Sequence, residues 1–209
     1  MAQTNVTKTG SGKLLLFAIL FTAFQLTGIV LTTIISGFQL SWILISAVMA
    51  VLCFMMYITY RSHDKNVMKP LLGAALMLML CYELLNWGGM YLQHFGEVLE
   101  YFGKDNVFAV YAITKIVTFF VLAAINVIHY LINYTHHSSP GKVTANRVLC
   151  TVFVVLVVIQ AVCLSLAEDG IAMIIADCLC AVSDVFMLAI VVNIESKLDA
   201  FRIARETEA

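Results

Sequence analysis

Residues 107–134 read VFAVYAITKIVTFFVLAAINVIHYLINY. The stretch is long and apolar enough to cross a bilayer, yet it carries a lysine, two asparagines and a histidine. At 100° per residue, Tyr111, Lys115, Thr118, Leu122, Asn126, His129 and Asn133 fall within an arc of about 80°. One stripe of a helix thus holds most of its polar groups, and the rest is hydrocarbon. Such a stripe needs protein or water opposite it. The other helices are therefore expected to supply that partner.

Composition sets the class. The chain has 209 residues, 62% hydrophobic and 12% charged, with a mean hydropathy of +0.95. Several apolar runs reach the roughly 20 residues that span hydrocarbon. The expected fold is all-α: a polytopic integral membrane protein forming a six-helix transmembrane bundle. The spans are predicted at about 13–35, 38–60, 71–92, 107–134, 148–166 and 171–194, together one domain. Residues 1–12 are expected to be disordered, and 195–209 to form a helical tail. Pro70 is placed at the start of the third span, where its missing N–H costs nothing. The first apolar run lacks a cleavage site and reads as a retained helix.

Charge sets the orientation. Lys8, Lys13, Arg61, Lys65, Lys69, Lys142, Arg147, Lys197, Arg202 and Arg205 lie on one side of the six spans, and only Lys104 on the other. Basic residues favour the cytoplasmic side, so both termini are expected there, in a plasma membrane. The opposite loops carry Glu97, Glu100, Asp105, Glu168 and Asp169. Between residues 94 and 106, Phe95, Val98, Leu99 and Phe102 share a face, which predicts a short interfacial helix. A net charge of −1 points away from nucleic acid.

Four further ionisable groups fall at membrane depth: Glu83, Lys115, Asp177 and Asp184. At 1.5 Å per residue, Lys115 lies about 9–12 Å from the outer end of its span, Glu83 about 13 Å, and Asn86 and Asp177 about 9 Å. An unpaired charge at such depth costs at least about 2.5–3.5 kcal/mol. Lys115 is therefore expected to pair with Glu83, Asp177 or both. Glu83, Asn86 and Trp87 share one face of the third span, Asp177 and Asp184 one face of the sixth, and Gln25, Thr32 and Ser36 one face of the first. The polar seam is expected between the third, fourth and sixth spans, with the first contributing. The fifth, rich in β-branched residues, reads as a lipid-facing wall.

Candidate ligand- or ion-binding residues are thus Glu83, Asn86, Trp87, Tyr111, Lys115, Thr118, Asp177 and Asp184. Three carboxyls against one ammonium favour a proton on one acid, and Asp184, the deepest, is the expected carrier. Asn126, His129 and Asn133 continue the stripe as a candidate proton or polar path. The competing reading is that these groups only fix helix register. The six cysteines lie in or beside apolar runs and read as small hydrophobes. No metal or cofactor is expected: His136 and His137 have no further ligands nearby. Walker, GxSxG and HExxH signatures are missing.

Three functions remain. The leading one is small-solute binding or transport, with a proton or cation as co-ligand, alone or as the membrane subunit of a larger transporter. The second is a membrane-embedded sensor acting through a partner membrane or cytoplasmic protein. An intramembrane enzyme ranks last, because no catalytic motif supports it.

Overall fold

The computed structural model describes residues 2–37, 40–93, 100, 104, 106–134, 140–166 and 171–208. Six long helices account for nearly all of them: α1 (Ala2–Ser36), α2 (Leu40–Ser62), α3 (Lys65–Gln93), α4 (Asn106–Tyr134), α5 (Pro140–Leu166) and α6 (Ile171–Glu208). All six are long and apolar enough to cross a membrane. The chain is all-helical, and these six candidate spans indicate an integral membrane protein.

Each helix packs on the next, and α6 closes the ring against α1. In addition α6 touches α2 and α3, so it has the most neighbours. Its pairing with α1 is the most extensive in the molecule, and Gly28 explains how the two approach so closely. A Cβ at Gly28 would lie 2.6 Å from Cys180 Sγ and 3.0 Å from the Ala176 carbonyl oxygen. Small residues permit this approach where lipid supplies no hydrophobic drive between helices.

The core is continuous and apolar. Phe21 of α1, Met49 and Cys53 of α2, Leu76 of α3, Leu122 of α4, Phe153 of α5 and Met187 of α6 are all buried within it. Large apolar side chains also cover the outside, including Val30, Val51, Phe120, Val127, Val158 and Val162. A helix bundle apolar both within and without suits hydrocarbon surroundings.

The helix ends differ from the sequence expectation in ways that matter for the site. The α3 helix starts at Lys65, and Pro70 lies inside it. Asp64 caps it instead: its Oδ1 accepts from the backbone N–H of Asn66 (3.1 Å) and of Val67 (3.3 Å). The preceding turn is a Schellman-type stop, with His63 at φ 61° and the Asp64 N–H bonded to the Thr59 carbonyl at 3.3 Å. The α5 helix starts at Pro140, two turns before the apolar run, which places Asn146 within it. The α1 helix reaches back to Ala2 through the polar segment expected to be disordered. The interfacial helix predicted between 94 and 106, and the pair His136–His137, lie outside the described residues.

Candidate functional site

The polar side chains buried between the helices form three groups along the bundle. The first contains Lys115 of α4 and Glu83 of α3. Lys115 Nζ lies 3.7 Å from Glu83 Oε2, with side chains 17% and 5% exposed. The ammonium also stands 6.0 Å from the centre of the Tyr111 ring, one turn away. Asp184 of α6 lies within electrostatic reach of both Glu83 and Lys115. The contact is an ion pair without hydrogen-bond geometry, and Glu83 Oε2 has no hydrogen-bond partner. Among the described residues, two carboxylates lie within reach of one ammonium, which leaves the group one positive charge short of neutrality if all three are ionised. A proton, a small cation or a cationic part of a solute would balance it.

The second group is a neutral clamp that ties α1 to α2 and α6. Gln25 Nε2 donates to Ser46 Oγ at 3.0 Å. The Ser183 hydroxyl donates to Gln25 Oε1. One amide thereby joins three helices, and Tyr82 of α3, beside Glu83, lies near it. Thr32, on the same face of α1, returns its hydroxyl to the Gly28 carbonyl at 2.9 Å.

The third group lies toward the end of the bundle that carries Arg61, Lys69, Lys142 and Arg147, called the basic end below. His129 of α4 is only 3% exposed. Its Nδ1 lies 3.1 Å from Glu195 Oε1 of α6 and 3.0 Å from Asn133 Nδ2. The other Glu195 oxygen accepts from Asn146 Nδ2 of α5. Lys69 Nζ of α3 donates to the Asn133 carbonyl at 3.4 Å. One turn deeper, Asn126 Nδ2 spans α4 and α3, donating to the carbonyls of Leu122 (2.9 Å) and Leu76 (3.2 Å). At the same end, Lys197 of α6 donates to the Tyr60 carbonyl and lies 3.7 Å from the centre of the Tyr60 ring.

The sequence-derived candidates are thus distributed unevenly. Glu83, Lys115 and Asp184 come together, with Tyr111 beside them. Thr118 turns away: its hydroxyl donates to the Thr114 carbonyl at 2.7 Å and accepts from Gln160 Nε2 of α5 at 2.8 Å. The side chains of Asn86, Trp87 and Asp177 lie outside the described residues, although their helices are described. Asn126, His129 and Asn133 line one side of α4 as the stripe requires.

Two expectations need correction. The fifth span is a wall on one face only. Val148, Val155, Val158 and Val162 point outward, while Asn146 and Gln160 are buried against α6 and α4. Glu195, assigned to the tail, is a buried member of the polar centre, its side chain 10% exposed. The reason is the length of α6, which keeps its packed face for one further turn beyond the apolar run. Among the described residues, no group of three or more His, Cys, Asp or Glu could hold a metal ion.

No protein-family model matches this chain, and neither a curated protein nor a solved structure matches it. The functional reading therefore rests on the residues themselves.

Proposed function

We propose that this chain is a plasma-membrane protein that binds and moves a small solute together with a proton or cation, by itself or as the membrane subunit of a larger transporter. Both termini would face the cytoplasm, as the ten-to-one division of basic residues argues. The site is the group of Lys115, Glu83 and Asp184, toward the acidic outer loops, with Tyr111 beside it; Asn86, Trp87 and Asp177 are the further candidates that the sequence contributes. Asn126, His129 and Asn133 supply a polar route from it toward the cytoplasm.

The observation that carries this reading is the unfinished character of the pair. A carboxylate buried only for structure has its lone pairs met by hydrogen bonds. Glu83 Oε2 stands 3.7 Å from Lys115 with no hydrogen bond, and with a second acid in reach. Ionisable groups retained at membrane depth mark ligand or ion pathways by default.

The test is a thermal-shift screen of the purified chain against amino acids, sugars, nucleobases and vitamins. Uptake of each stabilising compound into proteoliposomes follows. Stabilisation by a compound class, with uptake by the chain alone or after addition of an energising subunit, supports transport. A screen without hits argues against it.

A second reading is favoured by one feature. Asp184 and the helix end at Glu208 belong to one continuous helix. A ligand at the first group would then report to a cytoplasmic partner through α6. Truncation after Leu198 that abolishes signalling, with ligand stabilisation intact, would select this sensor reading.

A further inference from the structure

We propose that His129 and Glu195 form a buried proton-binding site, with His129 Nε2 as the atom that takes up the proton. Neither residue was paired by the reading of the sequence. The inference deepens the polar-route element of the proposed function, and rests on it only for where the proton travels.

The tautomer follows from the neighbours. Glu195 Oε1 lies 3.1 Å from Nδ1, and an ionised carboxylate can only accept. The neutral ring therefore carries its hydrogen on Nδ1, which fixes the lone pair on Nε2. The opposite tautomer would aim a ring lone pair at the carboxylate. Asn133 Nδ2 also lies 3.0 Å from Nδ1, and one of its two hydrogens goes to the His129 carbonyl at 3.1 Å; the charge of the carboxylate outweighs this neutral amide in keeping the ring hydrogen on Nδ1. Glu195 is held in turn: its second oxygen accepts from Asn146. A carboxylate behind Nδ1 orients the ring, the same arrangement that holds histidines in place as ligands.

Two buried polar atoms in this group have no hydrogen-bond partner: His129 Nε2 and Asn146 Oδ1. Buried polar atoms are rarely left so, and a pair of them within one cluster points to a polar occupant. The space opposite Nε2 is set by Gly73 of α3, where an added Cβ would lie 3.6 Å from that nitrogen. A proton delivered through water to Nε2 converts the ring to imidazolium, whose Nδ1–H then makes a charge-assisted bond to Glu195. The proton comes from solvent at the basic end, and no other bond changes. Because Glu195 joins α6 to α4 through His129 and to α5 through Asn146, loading the site tightens the three helices. Unloading loosens them.

The charged and titratable groups around the site are few. Lys69 of α3 is held on the Asn133 carbonyl. Tyr134 of α4 has its ring 6.5 Å from the imidazole. On α5, Cys150 is within electrostatic reach of Glu195, Lys142 lies one turn before Asn146 and exposed Arg147 directly after it. On α6, Lys197 is engaged with Tyr60 of α2, and Arg61 of α2 is exposed.

The experiment is solid-state NMR of the full chain in lipid bilayers, with 15N-labelled histidine and His129→Gln to assign the signal. The expected parent spectrum shows Nδ1–H with bare Nε2 at high pH. It shows a doubly protonated ring once the proton is taken up at low pH. Glu195→Gln is expected to abolish the tautomer preference of His129 and leave the other four histidines unmoved. Gly73→Ala, which needs no repacking at 3.6 Å, serves where Glu195→Gln fails to fold. It should slow proton exchange at Nε2 several-fold with the tautomer unchanged. An Nε2–H tautomer in the parent, a ring that does not titrate, or exchange unaffected by Gly73→Ala would overturn the assignment. None of these readouts needs a solute, so they stand or fall separately from transport.

Discussion

Glu83 and Glu195 are both buried carboxylates, each facing a side chain of α4, and they are held in opposite ways. Glu195 has a partner for each oxygen, an imidazole on one side and an amide on the other. Glu83 has an ammonium at 3.7 Å and an oxygen without a hydrogen bond. A group with both oxygens hydrogen-bonded can exchange a partner only by giving one up. An oxygen that faces a cation without a hydrogen bond can exchange that partner at smaller cost. On the proposed reading, the basic end would store a proton and the region of Lys115 would exchange its partner.

The comparison is most strongly broken by removing Glu195. Glu195→Ala strands the His129 Nδ1–H and the Asn146 amide in a buried site, at about 1–3 kcal/mol for each group. Denaturant titration of the purified chain should show a loss of about 2–6 kcal/mol. Glu83→Gln should cost much less, about 1 kcal/mol or below, because the oxygen that faces Lys115 makes no hydrogen bond and Asp184 stays within reach of Lys115. Its expected effect is on solute stabilisation and uptake, which should fall at least tenfold. Similar stability losses for Glu83→Gln and Glu195→Ala would erase the distinction between the two ends.

Two smaller changes sharpen the same contrast. Gln160→Leu breaks the bond to Thr118 between α4 and α5, and interhelical hydrogen bonds in membranes average about 0.6 kcal/mol. It should lower stability by that order and leave uptake unchanged, since Thr118 faces Gln160 rather than Lys115. Val155→Ile on the exposed face of α5 should fall within about 0.5 kcal/mol of the parent. A loss of uptake from Val155→Ile would mean that this face meets a partner rather than lipid.

Hydropathy alone was enough to place the six helices, because each carries a run that only hydrocarbon accommodates. Their ends were harder. Pro70 punctuates the sequence, but the Asp64 cap and the turn at His63 govern where α3 starts. Asn146 and Glu195 sit outside the apolar runs and so were assigned to loop and tail, although the helices that carry them continue unbroken. Lys115 with Glu83 was legible because opposite charges at one depth leave few alternatives. His129 with Glu195 was not, because the partner lies on a helix whose register against α4 no local pattern specifies. Ser46 and Ser183 carry no distinguishing signal at all: a serine on an apolar helix bonds its own backbone as readily as a neighbour. Projection placed Thr118 on the stripe with Lys115, but an arc of about 80° spans two neighbouring helices. Thr118 uses the other one.

The central claim is that Lys115 and Glu83 form an exchangeable site rather than a structural tie. It is tested most directly by thermal unfolding of Lys115→Met combined with Glu83→Gln, with and without the compounds that stabilise the parent. The neutral pair should unfold within a few degrees of the parent and lose all stabilisation by those compounds. Stabilisation equal to the parent's, or no stabilising compound for the parent itself, would contradict the claim.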